Sequence, residues 1–249
     1  MKPRLKMGMV GGGGDATIGA IHKIAAQLDG KSELVAGAFS SNFERSRRSG
    51  EALGLHASRV YGDYRTMATE EAELPAGERI DFVSVVTPNH LHFPVAKTFL
   101  ENGFNVVCEK PMTFNLAEAL ELRSLVRKSG KVFALTYSYA GYPMVKEARD
   151  VVRRGELGQI LKVITEYPQG WQLNPLEATD KDHAGEMIPV KREPLVAWAT
   201  SVPTSSTFRA ISPDWKSMSC ALTSQNLVPD SDWKTMQVFS FITKAARVA

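Results

Sequence analysis

Four consecutive glycines, Gly11 to Gly14, follow a short apolar run from Leu5 to Val10. Ile18, Ile21, Ala25 and Leu28 come next at helical spacing. A strand, a turn without Cβ atoms and a helix are what a diphosphate requires. Its oxygens must approach backbone N–H groups at a helix N-terminus, and side chains on the turn would block them. The layout is that of a dinucleotide-binding turn. Gly11 and Gly13 fit the first two positions of a G-x-G-x-x-A fingerprint, with Ala16 in the third. Gly14 and Gly19 offer a shifted, longer register, and a glycine-rich turn without a ligand is the plain alternative.

Three further clusters could share chemistry with that turn. Ser40 and Ser41 close the second apolar run, Glu33 to Ser40, where an acidic residue would hold the adenosine ribose of NAD. Arg45, Arg47 and Arg48 lie just beyond, and serines beside an arginine can accept a 2′-phosphate, so both NAD and NADP are open. Ser41 or Asn42 also reads as the cap of a helix from Phe43 to Leu53. The β-branched run Ile80 to Val86 ends in Thr87-Pro88-Asn89-His90-Leu91-His92, polar residues at the strand end where open α/β sheets bind ligands. No Cys or acidic residue has the spacing to join His90 and His92 on a metal. The run Asn105 to Cys108 closes with Glu109-Lys110-Pro111. Lys110 there could donate to a substrate hydroxyl or to the nicotinamide ribose. The alternative is an ordinary surface ion pair with Glu109.

The elements that must position these clusters alternate steadily. A helix from Phe93 to Asn102 ends at Gly103, and Asn115 opens an amphipathic helix that ends at Gly130. Val132 to Tyr137 is another strand, a helix runs from Pro143 to Gly155, and Gln159 to Tyr167 reads as a strand opening a second domain. Alternating strands and helices argue a parallel, doubly wound sheet, an α/β fold. The domains expected are 1–135, 136–186 and an atypical tail, 187–249.

The totals exclude several classes. A net charge of +3, with no basic run interleaved with aromatics, lacks the footprint of a nucleic-acid binder. Two cysteines cannot make a disulfide framework or a structural zinc site, and Cys108 reads as a buried small hydrophobe. No run is long and apolar enough to span a membrane, and no signal-peptide core precedes the first strand, so a cytoplasmic setting is expected.

The glycine turn, Thr87-Pro88-Asn89-His90-x-His92, Glu109-Lys110-Pro111 and Gly155-Glu156-Leu157-Gly158-Gln159-Ile160, in this order, resemble the Gfo/Idh/MocA family over residues 1 to about 185. The resemblance implies a Rossmann domain, then an α/β domain whose open sheet covers the substrate and mediates homo-oligomers. It implies hydride transfer between NAD or NADP and a sugar, polyol or related hydroxyl compound. Lys110 would orient this small-molecule substrate and assist proton transfer. Thr87, Asn89, His92 and Glu109 would line the nicotinamide side.

Such enzymes also carry a Gly-Asp-x-Gly-x-His stretch whose Asp and His complete the catalytic set, the histidine relaying the proton. It is missing after Trp171, and His183 is the only histidine after His92. Two readings therefore stand: an active NAD(P)-dependent oxidoreductase, or a remnant that binds nucleotide and turns over little. The composition also shifts. Residues 187–249 contain no glycine, where average usage gives roughly four. One hypothesis is a change of reading frame near Glu186. Trp198 to Thr204 can be encoded TGG GCG ACA TCG GTA CCC ACN. Read from the last base of the tryptophan codon, that string gives Gly-Asp-Ile-Gly-Thr-His. The second domain would then start but not finish its sheet, with poor stability and contacts through the 159–167 strand edge expected. Codons in the gene that cannot yield the shifted motif would end the idea.

Overall fold

The structure, a computed structural model, describes residues 3–14, 16–158, 219–225 and 236–242. The chain separates into two compact units, Met1–Thr136 and Tyr137–Ala249. In the first, five parallel strands stand in the order β2-β1-β3-β4-β5: β1 Leu5–Gly11, β2 Ser32–Ala38, β3 Phe82–Val86, β4 Asn105–Cys108 and β5 Phe133–Leu135. An isolated parallel bridge from Gly37 to Val60 stands in for one more strand beyond β2. With it the order is 3-2-1-4-5-6, two mononucleotide-binding halves back to back.

Helices connect each strand to the next: α1 Thr17–Gln27, α2 Phe43–Ala52, α3 Tyr64–Glu73, α4 His92–Glu101 and α5 Leu116–Ser129. Their starts are chemical. Asn42, Asp63 and Asn115 each accept first-turn amides through their side chains, and Gly130 ends α5 in the left-handed conformation at φ +64°. The sheet is buried on both faces. Val10, Val83, Val85, Val106 and Cys108 point into one layer with Met67, Val95, Phe99 and Leu122. Met7, Met9, Leu34, Phe39 and Val60 fill the other, joined by Ala26, Phe82 and Val86. Each fully buried side chain of this size contributes about 1.5–3 kcal/mol.

Helix α3 is not legible in the sequence pattern, because only Met67, Ala68 and Glu71 of it are buried. Glu71 is wholly buried and accepts from Arg59 Nε at 2.8 Å, Arg59 Nη2 at 2.7 Å, Tyr61 Oη at 2.8 Å and the Ile80 amide at 3.0 Å. Burial, followed by the Glu71 carboxylate, pushes the Tyr61 hydroxyl far above its ordinary pKa. The Cys108 thiol is likewise pushed far up by burial, which makes it inert.

Helix α1 packs on the sheet by its small and polar side. Its apolar stripe faces away from the sheet: Ile18, Ile21, Ile24 and Leu28 are 46%, 51%, 63% and 82% exposed. The face laid on the strands carries Gly19, His22 and Ala26 instead.

In the second unit, Ser138–Gly141 is a 3₁₀ turn, α6 spans Pro143–Arg153, and β6 Ser219–Gln225 pairs antiparallel with β7 Met236–Ile242. Tyr139 and Tyr142 meet edge to face at 5.6 Å. Among the described residues, no helix is long and apolar enough to cross a membrane. The expected strand from Gln159 to Tyr167, His183, and most of the 187–249 tail with the altered motif lie outside the described residues.

Candidate functional site

Because all five strands run parallel, the segments after β2, β1, β3 and β4 leave the sheet at its same edge. The strand order reverses between β1 and β3, the place where open α/β sheets bind their ligands. This single topological fact gathers Ser40–Arg45, the glycine turn, Thr87–Asn89 and Glu109–Pro111, which are scattered in the chain.

The glycine turn is packed tightly on its inner side. Gly11, Gly12 and Gly14 have φ of +81°, +69° and +63°, a region that glycine enters without cost. A Cβ on Gly12 would fall 2.7 Å from the Gly19 Cα, and one on Gly13 would fall 2.7 Å from Phe39 Cβ. At Gly14 a Cβ would meet nothing within 4 Å. Gly19 thus fills the fingerprint's third role, close packing of helix on strand, while Ala16 is the N-cap of α1. The loop is longer than the G-x-G-x-x-A register suggests. Ala16, the N-cap, has no side chain that could accept from the first turn of α1. A turn open at Gly14 and an N-cap residue too small to fill the space before α1 fit a diphosphate.

Serines of α2 hold this turn in place, and no local pattern marks them. Ser49 Oγ accepts the Gly14 amide at 3.0 Å and donates to Arg45 O at 2.9 Å. Ser46 Oγ accepts the Phe39 amide at 3.0 Å and donates to Tyr61 O at 2.9 Å. At the end of β2, Ser40 Oγ accepts the Asn42 amide at 3.2 Å and Asn42 Oδ1 accepts the Arg45 amide at 3.0 Å. Both cap and ribose-side roles are therefore compatible. Arg47 is engaged by Glu44 and Glu51, whereas Ser41, Arg45 and Arg48 are exposed.

At the end of β3, Thr87 Oγ1 is buried without a hydrogen-bond partner, and Asn89 opens a short 3₁₀ turn. An orphaned buried hydroxyl beside the glycine turn fits a polar ligand group there. His92 is 1% exposed. Its Nδ1 faces Pro111 O at 2.6 Å and its Nε2 faces Thr87 O at 2.9 Å. The ring therefore ties the β3 loop to the Lys110–Pro111 loop from beneath. Burial holds its pKa below the ordinary value, against the opposing pull of both carbonyls. A neutral ring donates to only one of them.

Glu109 is no surface ion pair. Its Oε1 accepts from His22 Nε2 at 2.9 Å and from the Thr136 hydroxyl, and its Oε2 accepts the Lys110 amide at 3.1 Å. Burial pushes its pKa up, but the hydrogen bonds from His22 and Thr136 outweigh that, and it sits below the usual carboxylate value. Lys110 is half-buried, and its bond to Pro111 is cis. Among the described residues, no three His, Cys, Asp or Glu side chains gather as a metal ion would require.

A family model described as an oxidoreductase family with an NAD-binding Rossmann fold matches residues 5–137. The uncharacterized oxidoreductase YfiI of Bacillus subtilis (strain 168) is 39% identical over 168 residues, covering 67% of this chain and 42% of that protein. An inositol dehydrogenase homolog from Azotobacter vinelandii, solved in complex with NAD+, superposes with a TM-score of 0.81 at 33% identity, over 91% of this chain and 58% of that one. The same homolog with NADH and myo-inositol gives 0.75 at 35% identity, over 90% and 57%. The chain thus spans less than two thirds of the length of these relatives.

Proposed function

The chain belongs to the Gfo/Idh/MocA oxidoreductase family with its NAD-binding Rossmann fold, and on that premise we propose that it is a dehydrogenase acting on a hydroxyl of a polyol or sugar. One observation carries the reading: the glycine turn and Lys110 leave strands of the same parallel sheet, at the same edge and with only β3 between them. The likeness to an inositol dehydrogenase homolog holding NADH and myo-inositol supports the substrate class.

In this reading the Gly11–Gly14 turn and the start of α1 hold the diphosphate. Ser40, Ser41 and Arg45 flank the adenosine ribose, and Thr87 and Asn89 flank the nicotinamide half. A nicotinamide, when bound, supplies the acceptor for a hydride leaving the carbinol carbon. Lys110 donates to the substrate hydroxyl oxygen and stabilises the negative charge that develops there as its proton passes to water. Glu109 and His92 hold the loop that presents Lys110 and do not themselves reach the reacting atoms. A homo-oligomer built through the second domain belongs to the same proposal.

Titration of the full chain with NADH and NADPH, followed by nucleotide fluorescence, tests the first half. Turnover with a panel that includes myo-inositol, glucose and xylose tests the second. Saturable binding and a turnover abolished in Lys110→Met are expected. Folded protein that binds neither nucleotide would overturn the reading.

A further inference from the structure

We infer that His22 is a positioning residue, the link by which the helix behind the glycine turn sets the strand end that carries Lys110. The inference rests on the reading that Lys110 meets the substrate. The register explains how the link arises. In β3, Ser84 points to the α1 side, because Val83 and Val85 point to the other. In β4, Val106 and Cys108 also point away from α1, so Glu109, one residue on, points toward it. His22 lies one turn beyond Gly19, on the face of α1 laid against the sheet. Its Nδ1 is 2.7 Å from Ser84 Oγ and its Nε2 is 2.9 Å from Glu109 Oε1.

The proton assignment follows from the partners. A carboxylate only accepts, so His22 Nε2 carries the hydrogen and donates to Glu109. In the neutral ring Nδ1 then accepts from the Ser84 hydroxyl. The order Ser–His–Glu resembles a nucleophile triad, but Ser84 is 1% exposed in mid-strand, where no substrate reaches it. What the chain does instead is hold a carboxylate. Glu109 Oε1 is fixed by His22 and Thr136, and Oε2 fixes the Lys110 amide. Cys108 beside Glu109 and His92 from α4 also sense its charge. Loss of the His22 donor leaves the half-buried carboxylate easier to protonate, and a protonated Glu109 releases the Lys110 amide.

The Lys110 backbone amide reports this directly in the full chain without nucleotide. Its chemical shift, followed against pH by NMR, should titrate with Glu109 at an inflection below 4.5 in the wild type. In His22→Phe, which keeps the ring volume and loses both bonds, the inflection should rise by about one pH unit. In His22→Gln, whose amide can donate to Glu109, it should stay near the wild-type value. With turnover in hand, His22→Phe should lower kcat about tenfold, move the acid limb of its pH profile upward, and leave NADH affinity within about threefold. An unchanged inflection in folded His22→Phe would overturn the inference. Should that variant not fold, the ring tautomer of wild-type His22 decides, since hydrogen on Nδ1 alone is incompatible with the link. Absence of polyol turnover by the wild type would remove the dehydrogenase reading alone, because the amide titration needs neither nucleotide nor substrate.

Discussion

Gly19→Ala sets two effects of opposite sign against each other. In an open helix interior, alanine is favoured over glycine by about 0.8–1.0 kcal/mol. At Gly19 the new Cβ would lie 2.5 Å from Gly12 Cα and also press on Gly12 O. Carbon atoms prefer about 3.5–4.0 Å, so the helix must retreat by at least about 1 Å. Neither contact is a flexible side-chain tip; both are backbone of the turn. Overpacking of this kind costs about 1–3 kcal/mol, and the retreat also strains the Gly14–Ser49 hydrogen bond. Because both contacts are rigid backbone, the clash outweighs the propensity gain, and a net loss of up to about 2 kcal/mol is expected. The amides at the start of α1 move with the helix, away from a diphosphate seated on the turn. NADH affinity should fall about tenfold or more, since a displacement near 1 Å can cost about a hundredfold when geometry decides. Urea denaturation followed by far-UV circular dichroism measures the first quantity, and a fluorescence titration the second. A variant as stable as the wild type, with unchanged NADH affinity, would refute the tight packing of α1 on the turn.

Glu71→Ala leaves Arg59 charged, and the Tyr61 hydroxyl and the Ile80 amide without their acceptor; breaking such a buried pair costs about 3–5 kcal/mol, read as a lower urea midpoint. Arg45→Ala should weaken NADPH binding about tenfold and NADH binding much less, if the exposed guanidinium meets a 2′-phosphate; equal losses for the two nucleotides would place that phosphate elsewhere. Because the Glu109 pKa is depressed on folding, its contribution to stability is fully present above the ordinary value of 4.5 and is lost as pH falls through the lower folded value. Glu109→Gln should flatten that part of the stability curve below pH 4.5, as thermal melts across the acid range will show.

Apart from α3, the strands and helices of the first unit could be read from local residues alone, as could the points where several of them stop. Asn42 and Asn115 cap helices as their side-chain chemistry dictates, Gly130 ends one in the left-handed conformation, and Asn105–Cys108 is a strand because a short apolar, β-branched run has few alternatives. Local chemistry decides these matters, and local chemistry is written in neighbouring residues. It also marked the glycine turn and Lys110, since both need a residue type that few other positions would tolerate.

Which way each element faces, and who meets whom, emerged only from the packed domain. The 3.6-residue period revealed α1 but not its inner face. The apolar stripe of Ile18, Ile21 and Leu28 looks like the buried side, yet the strands accept only the small and polar side that Gly19, His22 and Ala26 provide. Glu109 and His22 are 87 residues apart, and nothing in either neighbourhood signals the other. Ser49 and Thr136 are equally silent in the sequence, since a serine or threonine becomes a clamp only when a distant amide or carboxylate is brought to it. Hydrogen-bond partners across a sheet are set by strand order and register, which depend on the packing of the whole domain and on no single stretch of it.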